Sequence, residues 1–366
     1  LTLDPNNAIS HYQRTRINTN NYFGRLLQGE IIFTAMQLSK NIKIFINYFL
    51  GPILFCWLAF SIYRHIVHQP HLHETWEQIK SSLSSYKIIY FIAAVLLLFV
   101  NWGIEALKWK ISVDTVYPVS FSQSFKAVLS GVSFSVSMPN RIGEYLGRVL
   151  YLPEGHRLKT IPVTLVGSFA QLLITLLMGA TGLIVLKKDL LLHFEGFTIW
   201  YQFLFYGLLV IIAVLLLLYF QIAGSVQLFK KWFKNPKHLY LVEALGSFNM
   251  QLLLSILLLS FLRYLVFLLQ YILIFYLCEV GIEATLLAWL MSVVFLAMAV
   301  IPSIALLELG LRGEISLKLI GIYTANTLGI TITTISIWFI NLVVPAVIGS
   351  LLILNIKVFK RRSEKD

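Results

Sequence analysis

The chain has 366 residues, of which 58% are hydrophobic and only 13% charged, too little polar side chain to cover a water-soluble globule. Most of its surface must therefore face lipid. The formal charge of +12 would point to nucleic acid in a soluble protein, but here the basic residues mostly flank apolar runs, where they act as topology signals and contacts for anionic lipid. Cys56 and Cys278, the two cysteines, lie inside apolar stretches and read as small buried hydrophobes, neither a disulfide nor a metal pair.

Residues 1–39 are polar, rich in Asn, Thr and Gln, and lack the apolar core of a signal peptide. They are expected to form a disordered tail, with Met36, just ahead of Lys40 and Lys43, as an alternative start of translation. Residues 40–356 form one integral membrane domain, and 357–366 a basic cytoplasmic tail. Eight segments are apolar over lengths that cross a hydrocarbon core of roughly 30 Å as helices: 44–63, 88–107, 160–186, 199–220, 250–278, 284–302, 316–334 and 336–356. The predicted class is all-α, a polytopic transmembrane bundle, because a helix satisfies its own backbone in lipid. Two shorter or interrupted segments, 123–139 and 303–315, are candidate re-entrant or broken helices. Both termini are placed in the cytoplasm, which leaves only Arg64, Lys80, Lys87, Lys187 and Lys188 outside and puts Lys108, Arg148, the Lys230–Lys237 cluster and the basic tail inside. The plasma (inner) membrane is the expected location.

The most informative stretch runs from Ser137 to Arg148, where an apolar run breaks at Pro139 and gives way to Arg141, Gly143, Glu144 and Arg148. Irregular backbone at membrane depth belongs against protein or a wet cavity, and Glu144 and Arg148 share one helical face; the plainer alternative is an interfacial helix with an ordinary ion pair. A second apolar run breaks at Pro302 and is followed by Glu308, Arg312, Gly313, Glu314 and Lys318. Gly143-Glu144 with Arg148 thus has a counterpart in Gly313-Glu314 with Lys318. This suggests two repeats, 40–222 and 245–356, parallel on the topology above, with broken helices at matching positions.

Arg263 stands near the middle of the 250–278 run, at a depth where a charge costs about 2.5–3.5 kcal/mol on insertion scales. It should face the bundle interior and meet a lipid phosphate, Glu308 or Glu314; a structural ion pair between spans is the alternative. Glu105, Gln171 and Asn341 are polar groups within spans that hydrogen bonds between helices explain. His65, His68, His71, His73 and Glu74 cluster in an outer loop, but their spacing matches no tight zinc motif, and an interfacial loop is the preferred reading.

At these residues the chain resembles the lysylphosphatidylglycerol synthase transmembrane region family, also described as flippase-like membrane proteins. Pro139-Asn-Arg-Ile-Gly-Glu144 looks like the family's Pro-x-Arg-x-Gly-Glu element, and Pro302 to Glu314 resembles its later acidic element, with Ser303-Ile-Ala where the family often carries glycines. The resemblance covers about residues 40 to 356. In large family members an aminoacyl-transferase domain follows the membrane part and makes the lipid, while the membrane part is associated with moving it between leaflets. The chain ends ten residues past its last predicted span, so the resemblance implies the membrane part without lysylation.

The expected function is translocation, or binding and presentation, of a lipid or polyprenyl-linked molecule with an anionic head group. Arg141, Arg148, Arg263 and Arg312 would hold the phosphate, Glu144, Glu308 and Glu314 would balance them, and Gly143 belongs to the first broken element. No cofactor is expected, and no Gly-rich ATP cradle occurs. A lipid-modifying enzyme is disfavoured, because Asp4, Asp114, Asp189 and Asp366 form no paired-carboxylate site for magnesium. The other alternative is a membrane scaffold of lipid or envelope biosynthesis, docking a protein partner through Lys230–Lys237 or the basic tail. Nucleic acid is not an expected partner.

Overall fold

The structure is a computed structural model that describes residues 60, 63, 64, 67 and 72–354, apart from 138–141, 194–195, 223, 225–242 and 302–304. Helices follow in the order α1 (Leu72–Leu83), α2 (Ile88–Val113), α3 (Phe121–Ser137), α4 (Ile142–Val149), α5 (Glu154–Val185), α6 (Lys187–His193) and α7 (Phe197–Phe220). A short 3₁₀ turn, Glu243–Ser247, leads to α8 (Met250–Leu277), α9 (Ala284–Val300), α10 (Ala305–Ile320) and α11. The last is made of Thr327–Trp338, a π turn at Phe339–Val343, and Val344–Leu354. No strand occurs among the described residues.

Five helices, α2, α5, α7, α8 and α11, are long and apolar enough to cross a membrane. Each buries one stripe and leaves the other apolar. On α2 the buried stripe runs through Ala94, Leu98, Asn101, Trp102, Glu105, Lys108 and Trp109, while Ile92, Leu96, Phe99 and Val100 are exposed, the pattern of a helix between protein and lipid. The predicted spans 88–107, 160–186, 199–220 and 250–278 fall on α2, α5, α7 and α8. The span 44–63 lies outside the described residues, except for Phe60 and Tyr63.

The C-terminal part differs from expectation. The spans predicted at 316–334 and 336–356 do not exist as two crossings, because 316–320 finish α10, a turn follows, and α11 continues past 336. The Asn326 side chain starts α11 by accepting from Gly329 N at 2.7 Å. Further along, Pro345 lacks an N–H and its ring crowds the carbonyl four residues earlier; the π turn just before it widens the helix without breaking it.

The described parts of the segments 123–139 and 303–315, residues 123–137 and 305–315, belong to two helical hairpins. In the first, α3 and α4 run antiparallel in close contact: a Cβ on Gly147 would stand 2.6 Å from the Gly131 backbone, and one on Gly143 would overlap the Phe134 carbonyl. At eight residues, α4 is about 12 Å long and cannot cross the core. In the second hairpin, α9 packs against α10. Both breaks, at 138–141 and 302–304, lie outside the described residues.

Packing between the two halves is reciprocal. Helix α2 lies antiparallel against α8, tied by Lys87–Glu279 at 2.7 Å, Gln270 Nε2 to Ala94 O at 2.8 Å, and Arg263 Nε to Asn101 Oδ1 at 3.0 Å. Helix α5 packs on α9, with Gly179 against Leu296, and the second half of α11 packs on α3, where Gly349 leaves no room for a Cβ beside the Leu129 carbonyl. Each half thus lays its final long helix on the hairpin of the other.

Candidate functional site

Where α2, α4 and α8 meet, Glu105 is the centre of a buried ion cluster. Its Oε2 is 2.7 Å from Lys108 Nζ and 3.1 Å from Arg263 Nη1, and its Oε1 is 2.9 Å from Arg148 Nη2. Arg148 also donates to Glu144 Oε1 at 2.6 Å, one turn earlier on α4. Arg263 lies over the Trp102 ring at 5.1 Å. Its partner Asn101 donates in turn to Asn341 Oδ1 at 2.9 Å, so the π turn of α11 reaches Arg263 through one asparagine.

On the second hairpin Arg312 donates to Glu308 and, at 3.1 Å, to Tyr271 Oη on α8, and it lies over the Phe267 ring at 5.9 Å. Both groups border one cavity of about 450 Å³, whose lining includes Asn101, Glu144, Arg263, Glu308, Arg312 and Asn341. Arg263 sits midway along the 28-residue α8, so the cavity opens at the depth of the helix centres. Trp102 Nε1, Arg148 Nε and Arg312 Nε are buried without a hydrogen-bond acceptor. These spare donors, two of them on lining residues, suit an oxygen-rich anion.

The cluster could not exist piecemeal. An unpaired charge buried at this depth costs several kcal/mol, and pairing offsets that cost only when the geometry is good and the other polar atoms are bonded. The helix faces provide this: Glu105 and Lys108 are three apart, while Glu144–Arg148 and Glu308–Arg312 are each four apart.

Of the residues singled out from sequence, Glu144, Arg148, Arg263, Glu308 and Arg312 are brought together here, and Arg141 lies outside the described residues. Gly143 contributes close packing of the hairpin. Glu314 is 3.6 Å from Lys318 and is absent from the cavity lining. Glu308 and Arg312 line the cavity, whereas Glu314 and Lys318 do not.

The carboxylate of Arg263 is Glu105 on α2 and not Glu308 or Glu314, an ion pair between spans, the alternative that the sequence also offers. Sequence reasoning assigned Glu105, Gln171 and Asn341 to ordinary hydrogen bonds, yet Glu105 holds three cations, and Gln171 and Asn341 line the cavity. Lys108, taken for a cytoplasmic flank, is 1% exposed. The available signal was its spacing from Glu105 on a face that also carries Trp102 and Trp109. His65, His68 and His71 lie outside the described residues.

No curated protein matches the chain. Residues 54–313 match the family model described as Lysylphosphatidylglycerol synthase TM region, a stretch that contains every residue of the two ion groups and all of the cavity lining up to Arg312. With its long apolar helices and paired hairpins, the chain belongs to this family of multi-pass membrane proteins.

Proposed function

We propose that the protein translocates, or binds and presents, a lipid or polyprenyl-linked molecule whose anionic head group enters the cavity between the two hairpins. The observation that carries this is the convergence of Arg148, Arg263 and Arg312, with Lys108 behind them, beside a cavity at the centre of a membrane bundle. Arg263 and Arg312 supply the contacts at the cavity wall, Arg148 reinforces them, and Glu144 and Glu308 balance their charge when no head group is present; Arg141, outside the described residues, is proposed only from its place in the Pro139–Glu144 element. Arginine forks suit phosphate oxygens. The sequence carries no ATP cradle, so transport would draw on a gradient, a partner or the lipid's own gradient.

The antiparallel α2–α8 pair and the crossed packing of α5 on α9 and α11 on α3 support two inverted repeats, α2–α5 and α8–α11, in place of the parallel pair suggested by sequence. In such a pair the two hairpins are equivalent re-entrant elements facing opposite sides, and the cavity lies at their interface. Location in the plasma (inner) membrane belongs to the same proposal.

The test is lipid mass spectrometry on the protein purified in a mild detergent, wild type against Arg263→Ala and Arg141→Ala. One anionic or polyprenyl lipid class should co-purify with wild type and be lost from both variants. Lipid enrichment indifferent to these arginines would instead favour a structural cluster in a scaffold protein.

A further inference from the structure

Lys108 is the cation of the cluster that the head-group site does not use. It is 1% exposed, it does not line the cavity, and α5 covers its stem, where a Cβ on Gly167 would be 3.5 Å from Lys108 Cε. The charged groups around it are Glu105 on its own helix, Arg148 with Glu144 on α4, and Arg263 on α8. Lys126 on α3 is exposed, and the charged residues of α5, together with His156, lie in its first two turns, ahead of Gly167.

Taken with Arg312 and Glu308, the described ion groups hold four cations, Lys108, Arg148, Arg263 and Arg312, against three carboxylates, Glu105, Glu144 and Glu308. A surplus positive charge in a low-dielectric interior is costly. Arginine cannot shed its proton, whereas lysine can, so Lys108 is where the surplus can be removed. As a neutral amine its Nζ stays 2.7 Å from Glu105 Oε2, a buried oxygen that accepts no hydrogen bond among the described residues, so loss of the proton breaks no hydrogen bond there. A phosphodiester in the cavity reverses the balance, since four cations then face four anions.

We infer that Lys108 is a proton-coupling residue: it is neutral when the cavity is empty and takes up one proton when a monoanionic phosphodiester head group enters. This rests on the anionic-head-group assignment above. In the step, an O–H bond of hydronium or of the buffer acid breaks as an N–H bond forms at the Nζ lone pair, with the conjugate base left in bulk solvent; on release the N–H bond breaks and the proton returns to water or buffer base. Glu105 Oε2, shared between Lys108 Nζ and the cavity-lining Arg263, is the relay between amine and cavity. Head-group movement would thereby be linked to proton movement, which supplies a driving gradient without nucleotide.

The test is calorimetric titration of the purified full chain with short-chain phosphatidylglycerol, in two buffers of different ionisation enthalpy, from neutral to alkaline pH. Short-chain phosphatidylcholine, a zwitterion, serves as the control. Wild type should take up about one proton per phosphatidylglycerol bound, with affinity rising by up to about tenfold per unit fall in pH, and none with phosphatidylcholine. Lys108→Arg, a cation that cannot deprotonate, should bind phosphatidylglycerol with no proton uptake and no pH dependence. Phosphatidylglycerol binding by wild type without proton uptake overturns the inference, whatever the variant does. Equal uptake in wild type and Lys108→Arg also overturns it, by moving the proton elsewhere. Wild type that binds no phosphatidylglycerol overturns the coupling inference as stated for a phosphodiester head group, while the site itself is judged separately by the co-purifying lipid above.

Discussion

Replacing Glu105 by Gln keeps the shape of the side chain and removes the only carboxylate among the described residues that Arg263 and Lys108 contact. Arg148 retains Glu144, but Arg263 retains only Asn101 and the Trp102 face. Removing one partner of a buried ion pair costs about 3–5 kcal/mol, and a carboxylate that serves three cations belongs at the upper end. For a chain of 366 residues, 1 kcal/mol is worth a little over about 1 °C in melting temperature, so Glu105→Gln should lower it by roughly 4–7 °C. Intrinsic-fluorescence melting in detergent measures this. Lys80→Ala, which breaks a pair that is half-exposed on both sides, should shift it by no more than about 2 °C, since surface pairs contribute about 0–1 kcal/mol. Adding Arg263→Met to Glu105→Gln removes the stranded cation and should recover part of the loss. A Glu105→Gln protein that melts with wild type, or a double variant worse than the sum of its parts, would refute the account of Glu105 as the compensating charge.

Gly147→Ala should destabilise the α3–α4 hairpin by about 1–3 kcal/mol through overpacking, because the new methyl meets backbone at 2.6 Å. Gly207→Ala on α7, with open space around it, should be neutral or slightly stabilising in the same melting assay. Asn341→Leu leaves the Asn101 amide without its acceptor and Arg263 less firmly held, at a cost of about 1–3 kcal/mol; retention of the co-purifying lipid should fall. The turn after α8 is fastened by Glu279, which accepts from Lys87 at 2.7 Å and from Ser82 at 2.5 Å and adopts a φ of 51°. Those two hydrogen bonds hold the Glu279 carboxyl below its ordinary range, and the hydrogen bond to Glu279 raises the Lys87 ammonium. The Glu279 contribution is therefore present above the normal glutamate range and lost as pH falls through the lowered value. The Lys87 contribution is present below the normal lysine range and lost as pH rises through the raised one. Proteolysis of the α1–α2 segment should accordingly increase at strongly acidic pH in wild type, and this acid-induced increase should be absent in Glu279→Gln.

The amino-acid sequence by itself determined the solvent, the helical class and the long crossings on α2, α5, α7 and α8, because apolar length is a local property and lipid leaves backbone no other partner than its own helix. It also marked Pro139 and Pro302 as interruptions, since proline and charge break an apolar run visibly; those two residues lie outside the described ones, and the helices before them end at Ser137 and Val300. The C-terminal count was not legible: a continuous apolar stretch carries no mark of where one helix ends, and the Asn326 cap and the accommodation of Pro345 decided it. Glu144, Arg148, Glu308 and Arg312 could be read in advance because their pairs are four apart on one helix. The meeting of Glu105 with Arg148 and Arg263 could not, since it joins residues 43 and more apart in sequence. Lys108 shows the limit most plainly, because a lysine near a span end reads as a flank, and only the packing of α4, α5 and α8 around it makes it a buried charge. Whether a charged side chain faces water, lipid or another charge is a property of its neighbours, and the tertiary structure alone supplies them.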